Sequence, residues 1–318
     1  MTDSADANPL LPSWWPSASS SSLAAVAPSV PEAIARGAAA ADAPALASSL
    51  LAKGFAVVDG FLGAPAAAAV RSGIAGMDRA GRLRLGKLQH GTQQSTNDAT
   101  RSDRIAFLQP DGCAGALAAY VAAVDALRCR LTACDALVER VGGELDGCNF
   151  MAATYPGGGT RYVKHRDALP YQAGRKLTVI YYVNAGWRPA HGGELRLWPE
   201  PEGAAPPVVL APVADRLVCF ISSLEHEVLP AWAPRFALTT WMFNRRDTAL
   251  ESLAEDLRQK KAAGRLNTQA LLAALDADDS EEDEEEDEDE EMDAATAKKV
   301  MMMLMMRKKK REAEAQAS

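Results

Sequence analysis

No apolar run in this sequence is long enough to cross a bilayer, which takes roughly 20 residues. The longest candidate, MMMLMM at 301–306, is far too short. No basic residue precedes Arg36, and an acidic residue already stands at position 3, which argues against a secretory signal and against an Arg-rich transit peptide. These absences predict a protein without membrane association, located in the cytoplasm.

Cysteine is scarce as well. The five cysteines are odd in number, and no two of them have CxxC spacing. A disulfide framework is therefore not expected, and free thiols suit a reducing compartment.

The net charge combines two unlike parts of the chain. Of the formal net charge of −8, residues 278–293 contribute −14, which leaves +6 on the rest. An acidic block of this kind repels itself and forms a separate segment. The basic run RKKKR at 307–311 is either a nuclear-import signal, which gives a nuclear location as an alternative, or a partner for the acidic block.

Composition divides the chain into four parts. Residues 1–44 are rich in Ala, Ser and Pro and are predicted to be disordered. One domain is predicted over 45–246, followed by a helical segment at 247–277. A disordered tail, acidic and then basic, is predicted at 278–318.

The predicted domain changes character near its middle. Alanine-rich stretches predict helices at 45–53, 64–80 and 114–141, with a polar loop before the last. Short β-rich runs separated by turns then favour a barrel or jelly-roll core over about 145–245 rather than alternating βα units. The eight runs are NFMAATY, RYVKH, KLTVIYYVN, GELRLWP, PVVLAP, DRLVCFIS, HEVLP and FALTTWMFN.

His165 and Asp167 stand two positions apart in one of these runs. Because residues i and i+2 of a strand project from the same face, the two side chains point the same way. They could be a buried hydrogen-bonded pair, a general base with its orienting carboxylate, or two metal ligands. Another of the four histidines, His226, follows Asp167 by 59 residues. Two histidines and a carboxylate are the ligands of a non-haem Fe(II) facial triad, which leaves coordination positions open.

Arg235 follows His226 by nine residues and begins RFALTTW, an alternating apolar strand. A guanidinium can form a bidentate pair with a carboxylate, as the far end of a dicarboxylic co-substrate requires. The motif HxD alone occurs often by chance. The order HxD, His and Arg is what favours an iron site.

Further stretches accompany this order: MAATYPGGGTRYVKHRD, KLTVIYYVN, GGELRLWPE, DRLVCFIS and HEVLPAWAPRFALTTWMFN. With them the sequence resembles the Fe(II)/2-oxoglutarate dioxygenases and, more narrowly, the prolyl 4-hydroxylases of the hypoxia-inducible-factor type. The resemblance covers about 54–245. It implies a mainly β fold with flanking helices (α+β), in which a double-stranded β-helix, or jelly roll, packs on N-terminal helices.

The resemblance also implies roles for single residues. It makes His165, Asp167 and His226 the iron ligands, Arg235 the anchor of the far carboxylate of 2-oxoglutarate, and Tyr182 a hydrogen-bond partner of that carboxylate. The co-substrate pocket is implied to be lined by Met151, Tyr155, Leu195 and Val228.

The substrate side of the site is implied to involve Tyr162, Trp241, Arg101, Asp103 and Arg175. Of these, Asp103 and Arg175 are expected to form a pair that joins the mobile substrate loop at 88–104 to the barrel.

The implied reaction is hydroxylation of a proline at C4 in a target protein, with Fe(II), 2-oxoglutarate and O2, and with L-ascorbate as a further cofactor. Candidate targets are a transcription factor, a Skp-type adaptor of ubiquitin ligases and an elongation factor. A monomer without a nucleic-acid partner is expected.

Two other functions stay open at this stage. The first is a dioxygenase of the same superfamily that acts on another residue or on a small molecule. The second is a cupin-like barrel that binds a metal or ligand without turnover. Two related enzyme classes fit less well. Collagen-type prolyl hydroxylases usually carry lysine where Arg235 stands, and nucleic-acid demethylases carry a second arginine where this chain has Trp241.

Overall fold

The computed structural model describes residues 29–86, 88–90, 93–95, 100–168, 174–199, 206–248 and 251. Its five α-helices are α1 Val30–Ala40, α2 Ala43–Lys53, α3 Ala64–Arg79, α4 Gly115–Thr132 and α5 Asp135–Val141. Its strands up to residue 155 are β1 Phe55–Asp59, β2 Arg84–Leu85, β3 Leu88–His90, β4 Gln93–Ser95, β5 Arg104–Leu108 and β6 Gly147–Tyr155. The remaining strands are β7 Thr160–His165, β8 Arg175–Tyr182, β9 Leu195–Leu197, β10 Val208–Leu210, β11 Arg216–Ile221, β12 His226–Ala231 and β13 Arg235–Phe243.

Helix α1 lies in a segment that was expected to be disordered. Ser29 accepts a hydrogen bond from the backbone N–H of Glu32, and the Glu32 carboxylate accepts one from the N–H of Ser29. This capping box satisfies backbone donors at the helix start. The prediction of disorder over 1–44 is therefore wrong for residues 29–44, and residues 1–28 lie outside the described part of the chain.

The helix expected over 114–141 is two helices. Helix α4 ends at Thr132, and the extended backbone of Cys134 (φ −99°, ψ 95°) precedes α5. The Thr132 hydroxyl donates to the carbonyl of Leu145, which ties the break to the chain that enters the first core strand. The helices predicted at 45–53 and 64–80 are confirmed as α2 and α3.

Two antiparallel sheets form the barrel. One has seven strands in the order β1-β11-β8-β13-β6-β5-β2, and the other has four in the order β10-β9-β12-β7. A separate pair, β3 with β4, lies in the segment predicted as a loop. All eight strands predicted after Leu145 are present, and the predicted jelly roll with flanking helices is confirmed.

The seven-stranded sheet separates two apolar clusters. On its outer face it packs against the helices: the Tyr120 ring of α4 stacks on Tyr181 of β8, with centroids 5.4 Å apart, and the Tyr120 hydroxyl bonds to Thr240 of β13 at 2.8 Å. On its inner face a smaller cluster faces the four-stranded sheet, with Met151, Ala153, Tyr155, Val228, Ala231 and Trp241 at its centre. The space between the sheets is therefore where side chains of both can meet.

The predicted domain end at residue 246 differs from the structure. The backbone at 245–248 is helical, and Asp247 forms an ion pair with Lys176 of β8, Nζ to Oδ2 2.7 Å. Asp247 is thus part of the fold. The rest of the predicted helical segment, apart from Glu251, and the whole predicted tail at 278–318 lie outside the described residues.

None of the described helices is long and apolar enough to cross a membrane. All five cysteines are free thiols, in agreement with the sequence.

Candidate metal centre

His165, Asp167 and His226 meet at one end of the four-stranded sheet. His165 ends β7, His226 begins β12, and the two residues face each other in the antiparallel register. Asp167 lies just beyond the end of β7. The Nε2 atoms of His165 and His226 are each 3.7 Å from an oxygen of the Asp167 carboxylate, on Oδ1 and Oδ2 respectively. One potential ligand atom from each residue lies within 4.8 Å of the others.

Backbone carbonyls orient both imidazoles. The Nδ1 atom of His165 lies 2.8 Å from the carbonyl oxygen of Val163, and Nδ1 of His226 lies 3.0 Å from that of Leu224. A carbonyl only accepts, so each Nδ1 carries the proton and each Nε2 keeps its lone pair. This is the tautomer that a metal-binding histidine requires.

The Asp167 carboxylate is held on one oxygen. Its Oδ2 accepts hydrogen bonds from the Thr178 hydroxyl at 2.8 Å and from the Trp241 indole N–H at 2.9 Å. Its backbone N–H donates to the carbonyl of Ser222. Neither side-chain donor contacts Oδ1, so this oxygen, beside Nε2 of His165, keeps its lone pairs for a metal ion.

Burial and neighbouring charges prepare the site for a cation. Burial, together with the charge of His226, lowers the pKa of His165 to about 3, so this imidazole is neutral at physiological pH. Burial opposes ionisation of Asp167, but the charges of His226, His165 and Arg175 and the bond from Trp241 outweigh it and lower the carboxyl pKa to about 2. A neutral imidazole and an ionised carboxylate are the forms that bind metal.

The donor set fits Fe(II). Two imidazole nitrogens and one carboxylate oxygen on adjacent backbone segments are the facial triad of non-haem iron oxygenases, and they leave positions for a co-substrate and for O2. Within the described part of the chain, no second group of three or more histidine, cysteine or acidic side chains is placed closely enough to hold a metal ion.

Arg235 is buried at the start of β13, with 3% of its surface exposed. Its Nε donates to the carbonyl of Gly193 at 2.7 Å, and its Nη2 donates to the Tyr182 hydroxyl at 3.4 Å. Its guanidinium lies over the rings of Tyr155 and Tyr182, 4.6 and 5.0 Å from their centroids. Nη1 has no hydrogen-bond acceptor among the described residues, so a carboxylate entering the pocket has a donor to meet.

One row of side chains links this arginine to the metal ligands. Alternate residues of β13 project from the same face, and on this strand the inner face presents Arg235, Ala237, Thr239 and Trp241. Trp241 contacts the ligand carboxylate, and Arg235 lies at the other end of the row. The two residues between them are small, which leaves room for a short dicarboxylic acid along the sheet.

The residues predicted to line the pocket come together for the most part. Met151, Tyr155, Val228 and Trp241 share the inner cluster, with Tyr162 packed against it. Tyr162 and Leu195 both pair with Val228 across the four-stranded sheet. The Leu195 side chain, however, is fully buried in the main core.

The two adjacent tyrosines of β8, Tyr181 and Tyr182, project from opposite faces of the sheet. Tyr182 contacts Arg235 on the inner face. Tyr181 points to the helices and donates from its hydroxyl to Asp215 at 2.7 Å.

The expected pair of Asp103 and Arg175 is not formed. Asp103 is bound instead by Arg101, with Nε to Oδ1 2.6 Å and Nη2 to Oδ2 3.0 Å. Arg175 pairs with Phe243, which in turn pairs with Gly147 at one end of β6. Asp103 precedes Arg104, which pairs with Thr154 near the other end of β6. Seven residues of strand separate Gly147 from Thr154, or roughly 23 Å.

Arg101 and Tyr162 cover the metal ligands from the substrate side. The Tyr162 ring stacks on the His165 imidazole, with centroids 3.7 Å apart. The Arg101 guanidinium lies 4.6 Å from the centroid of the Tyr162 ring. Thr100 and Ser102 bond to the backbone of β7, so the end of the predicted substrate loop runs beside that strand. Both residues thus lie beside the metal ligands, and their role in substrate contact stays a prediction.

Two functional residues were missed from the sequence. Thr178 has the parity of Tyr182 in the same strand, so alternation alone could have placed it on the inner face. Ser222 contacts Thr178 at 2.9 Å, but it follows β11 in a turn, where no periodic pattern predicts its direction.

Known sequences that resemble this chain are oxygenases and prolyl hydroxylases. The sequence model of the 2OG-Fe(II) oxygenase superfamily matches residues 150–243, which include all three ligands and Arg235. The chain is 33% identical over 207 residues to prolyl hydroxylase EGLN3 of Mus musculus, covering 62% of this chain and 81% of that protein. It is 38% identical over 212 residues to a hypoxia-inducible factor prolyl hydroxylase of Caenorhabditis elegans, covering 62% of this chain and 28% of that protein.

Solved structures that resemble this chain include two prolyl hydroxylases. A prolyl hydroxylase from Trichoplax adhaerens, in complex with a hypoxia-inducible-factor peptide fragment, superposes with a TM-score of 0.59 at 30% identity, over 65% of this chain and 91% of that one. A Pseudomonas putida prolyl-4-hydroxylase superposes with a TM-score of 0.54 at 29% identity, over 64% of this chain and 99% of that one.

Proposed function

Since this chain belongs to the 2OG-Fe(II) oxygenase superfamily and, within it, to the family of hypoxia-inducible-factor-type prolyl hydroxylases, we propose that it hydroxylates a proline residue in a target protein. The reaction uses Fe(II), 2-oxoglutarate and O2. The observation that carries the proposal is the His–Asp–His cluster together with the inner-face row of β13, which runs from Trp241, in contact with Asp167, to Arg235.

Each part of this row has a task. His165, Asp167 and His226 hold the metal, and Arg235 with Tyr182 receives the far carboxylate of 2-oxoglutarate. The iron supplies the oxidising chemistry when it is bound with O2. The protein fixes the ligands in place and limits access of water, because the smaller apolar cluster lies beside the site, with Trp241 and Tyr162 in contact with the ligands.

A segment of another protein is the proposed substrate. The peptide bound to the Trichoplax relative supports a peptide rather than a small molecule. Tyr162 and Trp241 contact the metal ligands and Arg101 lies over the Tyr162 ring, so a prolyl ring that reaches the metal has to pass these side chains. A transcription factor, a Skp-type adaptor and an elongation factor are the candidate targets.

Further properties belong to the same proposal. L-ascorbate supports turnover, and the protein acts as a monomer without nucleic acid. The cytoplasm is its location, with the nucleus as the alternative. The five free thiols support a reducing compartment.

The test uses the full chain with Fe(II), 2-oxoglutarate and a library of proline-containing peptides. Succinate formation is measured together with the peptide mass. We expect succinate in proportion to a mass gain of one oxygen atom located on proline. Oxidation of a different residue, or turnover only with small molecules, would replace the proposal by another dioxygenase activity. Metal binding without any succinate would favour a binding barrel.

Comparing proteomes of cells with the active chain and with its Asp167→Ala variant then identifies the target. The modified proline is the one that gains oxygen only in the first set.

A further inference from the structure

We propose that Ser222, Thr178 and Trp241 are positioning residues that make Asp167 a one-oxygen metal ligand through Oδ1. The inference rests on the proposed function, because it presupposes that the cluster binds a metal ion. Thr178 and Trp241 contact the Asp167 carboxylate, and Ser222 contacts Thr178. None of the three residues belongs to the HxD, His and Arg motif.

The hydroxyl protons fix the direction of the hydrogen bonds. Thr178 Oγ1 lies 2.8 Å from Asp167 Oδ2, and an ionised carboxylate only accepts, so the single Thr178 proton goes to Asp167. Thr178 Oγ1 also lies 2.9 Å from Ser222 Oγ. Since the Thr178 proton is already used, Ser222 must be the donor in that contact. The chain of donors therefore runs from Ser222 to Thr178 to Asp167.

Ser222 also holds the backbone of the ligand. Its carbonyl accepts hydrogen bonds from the N–H groups of Asp167 and Ala168, and its own N–H donates to the carbonyl of Lys176. The residue is fully buried, and Thr178 is 1% exposed. One serine thus fixes the backbone of Asp167 directly and its carboxylate through Thr178.

Trp241 contacts the same carboxylate oxygen from the neighbouring strand. Trp241 and Thr178 face each other in the register of β13 and β8, so their donors approach Oδ2 side by side. The indole N–H can only donate, and the Arg175 guanidinium stacks on the ring at 4.3 Å. Two donors occupy Oδ2, which lies 3.7 Å from Nε2 of His226, so the carboxylate cannot rotate freely; Oδ1, 3.7 Å from Nε2 of His165, is the oxygen that neither of these donors contacts.

The arrangement has a chemical consequence. Donors around a metal ligand that hold it in orientation are worth about 10- to 100-fold in metal affinity. Without them Asp167 could turn, bind through both oxygens and take a position that O2 or the co-substrate needs.

Thr240 supplies a matched control. It is a buried threonine on the adjacent strand whose hydroxyl bonds to Tyr120 on the opposite face of the sheet. Thr178→Val and Thr240→Val each remove one buried hydroxyl of equal size, but only the first lies beside the metal ligands.

The experiment measures Co(II) binding to the full chain by calorimetry and by the visible spectrum of the bound ion, which reports ligand number and geometry. We expect about tenfold or greater weakening in Thr178→Val and in Trp241→Phe, each with an altered spectrum. Thr178→Ser keeps the donor and should restore affinity and spectrum. Ser222→Ala should have a smaller effect, because Thr178 still donates. Thr240→Val should bind like the wild-type chain.

Equal Co(II) affinity and spectra in Thr178→Val, Trp241→Phe and Thr240→Val would overturn the inference and leave the proposed function standing. A wild-type chain that binds no Co(II) would overturn the metal centre, and both proposals with it. Failure of Thr178→Val to fold leaves Trp241→Phe and the Thr178→Ser rescue to decide.

Discussion

Polar side chains on the two sides of the seven-stranded sheet differ in how completely they are hydrogen-bonded. On the face packed against the helices, most of the hydroxyls in contact have a partner within the fold: the Tyr181 hydroxyl donates to Asp215, and Tyr120 bonds with Thr240, whereas the Thr154 hydroxyl has none among the described residues. In the space between this sheet and the four-stranded sheet, partners hold one side of a polar group and leave the other side free. The difference separates polar groups that stabilise the fold from those prepared for a ligand.

Three places between the two sheets show this. Each ligand imidazole is fixed through Nδ1 and keeps Nε2 open, and Asp167 is fixed through Oδ2 and keeps Oδ1 open. Arg235 donates hydrogen bonds from Nε and Nη2, and its Nη1 has no acceptor among the described residues. Buried polar groups without a complete set of partners lower stability, so they persist where a ligand completes them.

The largest effect expected from this comparison is on catalysis alone. His165→Ala and Asp167→Ala each remove a metal ligand, so we expect turnover of 2-oxoglutarate to fall to background while the fold remains. The matched change on the other face, Tyr181→Phe, should lower the free energy of unfolding by about 1–3 kcal/mol, because it leaves Asp215 short of a buried donor. Its turnover should stay at the wild-type level.

Succinate assays and urea denaturation on the same preparations make this comparison. Residual turnover in Asp167→Ala, or a loss of turnover in folded Tyr181→Phe, would show that the two faces do not divide the roles in this way.

The next effect is on stability, at the Lys176–Asp247 pair. The Lys176 side chain is 3% exposed, and Nζ also donates to the carbonyl of Gly142 at 2.8 Å. Lys176→Met leaves Asp247 without this cation, so we expect a loss of about 3–5 kcal/mol. Arg216→Met is the control, because its partner Asp59 is 63% exposed and such pairs contribute about 0–1 kcal/mol.

Denaturant unfolding of the two variants measures the difference. Adding Asp247→Ala to Lys176→Met should recover part of the loss, since the carboxylate that lost the Lys176 cation is then removed. Equal losses in Lys176→Met and Arg216→Met would mean that Asp247 is not part of the folded domain.

Lys176 also shows where sequence reasoning stopped. Alternate residues of a strand share a face, and Tyr182, Ile180 and Thr178 all lie on the inner face of the sheet. The same alternation predicts that Lys176 lies on the inner face as well. A bulge intervenes: Met242 pairs with Leu177, but Phe243 pairs with Arg175, so Lys176 is the extra residue. Arg175 therefore turns to Trp241, and Lys176 turns to the helices. A β-bulge depends on how the strands pack locally, and the pattern of apolar and polar residues did not predict one here.

Other parts of the molecule were readable from the sequence because they depend on local chemistry. The three ligands were identified from the order HxD, His and Arg and from the family resemblance; the antiparallel pair that brings His165 opposite His226, and the end of β7 before Asp167, were not predicted. The start of α1 was also readable, since SVPE at 29–32 has the form of a capping box, but the alanine-rich composition masked it. The partner of Asp103 was not readable, because it depends on how far along the sheet two strands are offset.

A smaller effect is expected at the co-substrate anchor. Arg235→Lys keeps the charge but loses the planar fork, so we expect the KM for 2-oxoglutarate to rise about tenfold, with a smaller change in kcat. Arg71→Lys is the matched control on the other face, where the guanidinium lies 5.2 Å from the centroid of the Phe236 ring. Steady-state kinetics at saturating peptide distinguish the two. An unchanged KM in Arg235→Lys would mean that another residue anchors the co-substrate.

The smallest effect leaves activity untouched and tests how tightly the helix-facing side is closed. Burial raises the pKa of Cys219, a fully buried residue of β11, to about 12, so at pH 8 about one molecule in ten thousand carries the thiolate. Cys129 is exposed at the surface of α4. We expect iodoacetamide to label Cys129 in the native chain, and Cys219 only after unfolding in urea. Peptide mass mapping assigns each label, and Cys129→Ser should remove the fast native labelling. Rapid labelling of Cys219 in the native chain would show that the core side opens as readily as the site side, and that the contrast between the two faces rests on the ligand-binding groups alone.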